Sequence, residues 1–344
     1  MSTNPQTPPI HSLVRRSPDQ NEEEFRNNLE NGLTEIFESD EILDYALRLT
    51  ARTNGKVIAD KLYKYREFEN FLAARSTSIT QAEKSDIRDF FDSRAREGIT
   101  VETLDKEIST LRALYGHIKD ELDKSVPSIN IKGEEYAAKV PRSTERKAIS
   151  REEVRKLIDA ANGVRDTLIN ALFYYTGLRR SELSELNVED VDRDIREILV
   201  RDGKNSKPRT VPYSAELDRL LDLWIDEIRP DRPGASKPAL FLGESGRGFG
   251  ERLGPKGFYD IVMESADRSG LQEVIGTTAD GRNKYRITPH ILRHSLATHM
   301  VEDGVNLRYI RDILGHSSIE TTQRYAKDRK ETVFKSYHSD FEGI

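Results

Sequence analysis

Apolar positions along this chain recur mostly with the period of a helix. Leu104, Ile108, Leu111, Tyr115, Ile118 and Leu122 step by four and three residues, which predicts a helix with one buried stripe. Ile58, Leu62, Tyr65 and Leu72, joined by Phe68 and Phe71, line one face of an earlier helix. Ile87, Phe90 and Phe91 mark another between them, with Ser85 or Asp86 as its cap. Gly98-Ile99-Thr100 breaks the pattern before the helix that includes Leu104. Residues 55–124 therefore predict a compact all-helical domain. Its basic side chains Lys61, Lys64, Arg112 and Lys119 face either phosphates or solvent.

The pattern resumes at residue 149 in a different form. Ser150 with Glu153 makes a capping box, Ile149 and Val154 a hydrophobic staple, and Val154, Leu157, Ile158 and Ala161 a buried stripe. A second helix, about Val164 to Tyr175, ends at Gly177. Ile195–Val200 and Thr210–Val211 read as strands around Asp202-Gly203. Leu217, Leu220, Leu221, Trp224, Ile225 and Ile228 predict a buried helix with Trp224 in the core. The Gly-rich, basic stretch Gly243–Gly257 (Arg247, Arg252, Lys256) reads as a mobile, DNA-facing loop. Thr288 caps a helix with Pro289 at its first position, and His290, Arg293 and His294 share one of its faces. Gly304 stops that helix, Asn306 caps a short one through Leu314, and Ser317 with Glu320 opens the helix that carries Tyr325. The whole is mainly α with a small β-sheet, an α+β class.

Composition changes this picture at the ends. Residues 1–33, rich in Pro, Asn, Gln and Glu, predict disorder, with a short helix from Glu35 to Arg48. Residues 1–50 hold four basic and ten acidic side chains, so the net charge of −6 resides there and the remaining positions balance at fifty of each. A neutral body still accommodates a basic face for DNA, because binding needs a local cluster of phosphate partners. No apolar run approaches the ~20 residues of a membrane span, and the start lacks the apolar stretch of a signal peptide, so the expected location is intracellular, in the cytoplasm. With no cysteine, disulfides, thiolate metal sites and a Cys nucleophile are excluded.

The chemistry is concentrated in the second half. His290-Ile291-Leu292-Arg293-His294 is followed by Leu314-Gly315-His316, whose His lies 23 residues after the Arg, and then by Tyr325 nine residues on. Upstream, Arg179 sits in Thr176-Gly177-Leu178-Arg179-Arg180-Ser181-Glu182-Leu183, with Glu182 one helical turn later as its ion-pair partner. Lys204 lies between the strands in Gly203-Lys204-Asn205-Ser206-Lys207-Pro208-Arg209. Phosphodiester cleavage without a metal needs positive charge where the transition state gathers negative charge, and guanidinium groups grip phosphate oxygens bidentately. A tyrosine then serves as nucleophile. His290 and His294, with His299 as a third, also have the spacing of zinc ligands, but the Glu of His-Glu-x-x-His is absent, so no metal and no cofactor is expected.

At these residues the chain resembles the tyrosine recombinase family, which includes phage integrases and Xer-like site-specific recombinases. The resemblance is weak over Val57–Ile118, strong over Ile149–Lys327, and extends to Gly304, Ile310 and Thr322. It implies Arg179, Lys204, His290, Arg293, His316 and the nucleophile Tyr325 as catalytic residues, with Glu182 orienting Arg179. Lys204 is implied as the general acid for the leaving 5′-oxygen, His290 as an acid/base group and His316 as a hydrogen-bond partner of a phosphate oxygen. Asn205 departs from the second Gly of the family motif, and Lys207 is a rival for the general acid.

The resemblance further implies an N-terminal helical core-binding (SAM-like) domain and a C-terminal tyrosine-recombinase catalytic domain. The expected organisation is an acidic, largely disordered extension over 1–50, a DNA-clamp domain over 51–126, a linker over 127–147, the catalytic domain over 148–327 and a docking tail over 328–344. The expected partners are double-stranded DNA and other copies of the chain, as a tetramer on two DNA sites, with no membrane. The expected activity is site-specific DNA recombination, integrase or resolvase in type, through a 3′-phosphotyrosyl intermediate and without metal or ATP. Two alternatives are a type IB topoisomerase, disfavoured by the compact integrase spacing, and a catalytically silent DNA-binding module of the same fold.

Overall fold

The computed structural model describes residues 10–14, 21–50, 55–140, 147–201, 208–277 and 281–315. The chain divides into two compact units, one over residues 1–144 and 278–282 and the other over 145–277 and 283–344.

The first unit is helical: α1 (Ile10–Leu13), α2 (Glu22–Thr34), α3 (Asp40–Thr50), α4 (Gly55–Ala73), α5 (Lys84–Arg96) and α6 (Val101–Asp120). Its core is the set of stripes legible in the sequence. Ile58, Leu62, Tyr65, Phe68 and Leu72 of α4 meet Ile87, Phe90 and Phe91 of α5 and Leu104, Ile108, Leu111, Tyr115 and Ile118 of α6, all buried. The cap of α5 differs from expectation. Glu83 occupies the N-cap, and Asp86 accepts its backbone N–H at 2.8 Å.

Two expectations about the flanks are corrected. Disorder was expected over residues 1–33, yet α2 is a helix whose Leu29 and Leu33 are buried with Ile10, Phe37, Ile42 and Ala46 in the same core. A few apolar residues at helical spacing suffice when an adjacent core accepts them, because tertiary packing rather than propensity sustains most helices. Polar contacts add to this. Asp44 of α3 lies 2.7 Å from His117 Nε2 of α6, Arg48 is 2.7 Å from Glu121, and Lys124 is 2.6 Å from Glu41.

The second correction concerns the segment expected as a linker, 127–147. Within it Ile129, Ile131, Tyr136 and Val140 are buried in the first unit. Arg112 donates to the carbonyls of Ile129 and Ile131 at 2.8 and 2.7 Å, and Asp105 accepts the N–H of Gly133 at 2.6 Å. The Arg112 side chain is therefore a tether for this segment, rather than a group facing phosphate or solvent alone.

The second unit contains α7 (Arg151–Asp159), α8 (Gly163–Thr176), α9 (Arg180–Glu185), α10 (Asp218–Asp222), α11 (Pro255–Arg268), α12 (Pro289–Glu302) and α13 (Leu307–Leu314). Beside them lie β1 (Val191–Asp192), β2 (Glu197–Val200) and β3 (Arg209–Pro212), an antiparallel sheet in the order β1-β2-β3, and the hairpin β4 (Val274–Thr277) with β5 (Asn283–Tyr285). In the sheet Ile198 pairs with Val191 on one side and Val211 on the other, and all three face the core. Helix α8 is the axis of the unit. Leu168, Ile169, Ala171, Leu172 and Phe173 are all buried, as expected of a helix enclosed on every side.

The stretch around Trp224 is helical but not uniformly so. After α10 it widens into a π-helix over Leu223–Ile228 and tightens to a 3-10 turn over Arg229–Asp231. Trp224 is fully buried and donates to the carbonyl of Leu240 at 3.0 Å, the core position its spacing predicted. The Gly-rich loop differs from its reading. Arg252 donates to the carbonyls of Ser184 and Leu186 and to the Asn187 side chain, so this cation is spent on the protein itself, whereas Lys256 pairs with Asp260 on the exposed surface. No described helix is long and apolar enough to cross a membrane.

Candidate active site

The site is assembled from the ends of four helices and the start of one strand. Helix α8 ends at Gly177 in the left-handed conformation (φ 62°), which turns the chain sharply into Leu178 and Arg179. A Cβ at residue 177 would lie 2.6 Å from Leu314 Cδ2 and 3.0 Å from Leu296 Cδ2, so a side chain there would displace those methyls as well as strain the left-handed backbone. Arg179 then stands at the N-cap of α9, which places Glu182 one turn away.

Glu182 is the hub. It is 1 % exposed. Its carboxylate accepts the Arg179 backbone N–H at 2.8 Å, Arg179 Nη1 at 2.6 Å, and two bonds from Arg209, Nη1 at 3.0 Å and Nη2 at 2.9 Å. Burial alone would raise its pKa. The hydrogen bond from Arg209, the bond from the Arg179 backbone and the charges of both guanidinium groups outweigh burial and hold it at about 2. Glu182 is thus a fixed anion at any physiological pH.

The two arginines named from the sequence converge on the end of α13. Arg179 Nη2 donates to the carbonyl of Gly315 at 3.0 Å. Arg293, buried on α12, donates to the carbonyl of Gly177 at 2.5 Å and to that of Leu314 at 2.6 Å. Arg179, Arg180, Ser181, Pro255, His290 and Arg293 line one cleft of about 380 Å³. The exposed His290 enters it from the first turn of α12, so the positive end of that helix dipole lies at the same place. An anion entering the cleft meets two guanidinium groups, an imidazole and a helix N-terminus. Such a setting favours a bound anion.

Of the residues expected to act, the structure brings Arg179, Glu182, His290 and Arg293 together. Lys204, His316 and Tyr325 lie outside the described residues, as do Lys207 and the tail 328–344. His299, third of the histidines with zinc-ligand spacing, is buried with its Nδ1 2.8 Å from the Tyr174 hydroxyl, and burial lowers its pKa. It is a neutral core residue. Sequence reasoning missed Arg209. Its signal was a cation at the head of a strand, next to the alternating Thr210 and buried Val211, a position more often given to a β-branched residue.

Comparisons with known proteins identify the family. Residues 147–332 match the phage integrase family, and residues 62–121 match its N-terminal SAM-like domain. The tyrosine recombinase XerA of Pyrococcus horikoshii is 31% identical over 293 residues, 85% of this chain and 90% of that protein. The tyrosine recombinase XerD of Listeria innocua is 30% identical over 289 residues, 79% of this chain and 90% of that protein. In fold, the chain resembles the XerH site-specific recombinase bound to its palindromic difH substrate, with a TM-score of 0.70, 18% identity, and coverage of 96% of this chain and 94% of that one. By sequence and by fold, this chain belongs to the phage integrase family and is a tyrosine recombinase.

Proposed function

We infer that the protein cuts and rejoins duplex DNA at specific sites. The observation that carries this reading is the cleft in which Arg179 and Arg293 meet beside His290, within a chain of this family. In the proposed reaction both guanidinium groups hold the non-bridging oxygens of the scissile phosphate and offset the negative charge of the transition state. The Tyr325 hydroxyl loses its proton to a base, for which His290 is the candidate, and its oxygen attacks phosphorus. The bond from phosphorus to the 5′-oxygen breaks, and Lys204 protonates the leaving oxygen. His316 donates a hydrogen bond to a phosphate oxygen.

The product is a 3′-phosphotyrosine and a free 5′-hydroxyl. Strand joining runs the same steps backwards from the partner duplex, so the phosphodiester energy is kept and neither ATP nor a metal is needed. The working form we propose is a tetramer on two DNA sites in the cytoplasm, with the 328–344 tail docking on a neighbouring copy.

Covalent capture tests the reading. The purified protein is incubated in EDTA with fragments of its source genome, denatured in SDS, and the attached DNA sequenced, with Tyr325→Phe in parallel. Adducts mapping to one site and missing from the variant are expected. Adducts of equal yield in both, or none from a wild-type protein that binds DNA, would reject it.

A further inference from the structure

Arg209 is 11% exposed and forms no part of the cleft wall, yet it makes three bonds at the site's base. Two go to the two oxygens of Glu182 and the third, from Nε, to the carbonyl of Ile313 at 3.2 Å. Gly315 lies against the same guanidinium, since a Cβ there would stand 2.8 Å from Arg209 Cζ. Glu182 Oε1 is shared, accepting from Arg179 at 2.6 Å and from Arg209 at 3.0 Å. Arg209 is also the first residue of β3, directly after the connection that contains Lys204, and Ile313 and Gly315 directly precede His316.

We propose that Arg209 is a positioning residue of DNA cleavage. Through Glu182 it fixes the guanidinium of Arg179, and through Ile313 it ties the strand that follows Lys204 to the segment that leads into His316. It rests on the recombinase reading above. A carboxylate held by one arginine can swing with it, whereas one gripped on both oxygens by a second, largely enclosed arginine is a rigid anchor. Arg179, 40% exposed, is held by that anchor and by the carbonyl of Gly315.

The test uses the full chain and a nicked duplex carrying the DNA site recovered by capture. Arg209→Gln should slow adduct formation at saturating DNA by about 10- to 100-fold, the usual consequence of misplacing a reacting group. The DNA concentration at half-saturation should stay unchanged. Arg209→Lys should recover part of the rate, because an ammonium meets one Glu182 oxygen but cannot grip both. In a Glu182→Gln background, adding Arg209→Gln should cost little more, since the two act as one unit.

A wild-type rate in Arg209→Gln, losses that multiply in the double variant, or a defect confined to DNA affinity would overturn the proposal. If Arg209→Gln does not fold, Arg209→Lys decides: a slowed rate at unchanged affinity supports the role, and a wild-type rate rejects it. A wild-type protein that binds DNA but yields no adduct in the capture step would instead reject the recombinase reading itself.

Discussion

Replacing Glu182 by glutamine removes a buried anion that holds both Arg179 and Arg209. The carboxyl group falls from an ordinary 4.5 to about 2 in the folded protein, and at about 1.4 kcal/mol per unit this is ~3 kcal/mol of stability. The same magnitude follows from breaking a buried pair by removing one partner, about 3–5 kcal/mol. Because the folded pKa is depressed, the stabilisation is complete above pH 4.5 and is lost as pH falls through about 2. Glutamine imitates the protonated acid. The gap between wild type and Glu182→Gln should therefore be widest at neutral pH and should close between pH 4.5 and 2. Trp224, the chain's one tryptophan, sits in the core of the second unit and reports its unfolding by fluorescence in urea. A variant within about 1 kcal/mol of wild type at pH 7 is too small a loss for this mechanism. A gap of equal size at both ends of the pH range would also refute the reasoning.

Gly315→Ala should destabilise the second unit by about 1–2 kcal/mol from its left-handed conformation alone, read from the Trp224 urea midpoint, and should slow cleavage by pushing on Arg209. Arg112→Ala should free the 129–131 segment from α6, and limited proteolysis should then cut within residues 127–140 while the wild type resists. Deleting residues 328–344 should weaken assembly on paired DNA sites more than binding to a single site in gel-shift titrations. An undiminished tetramer would reject docking of the tail on a neighbour.

Much of this molecule was legible because its signals are local. The stripes of α4, α5 and α6 and the capping box at Ser150 are written in neighbouring residues, as is the left-handed stop at Gly177. The Arg179–Glu182 pair was legible for the same reason, being a contact across one helical turn. What the sequence hid depends on distant partners. Helix α2 looked too polar to fold because its own segment supplies few apolar residues, and the surface that buries Leu29 and Leu33 lies elsewhere in the first unit. Arg209 looked like one more cation near a turn, because Glu182 is 27 positions away and Ile313 is 104. Arg112 and Arg252 were misread in the same way, as solvent- or DNA-facing cations whose true partners are backbone carbonyls. Such pairings leave no periodic trace.

In the proposed reaction the nucleophile is one particular tyrosine among thirteen. The direct measurement is to digest the covalent DNA adduct with nuclease and protease and locate the residual nucleotide by mass spectrometry. A phosphotyrosyl bond to the 3′ side of the cut, carried by the peptide containing Tyr325, is expected. A nucleotide on Tyr309 or Tyr337, or linkage through a 5′-phosphate, would contradict it.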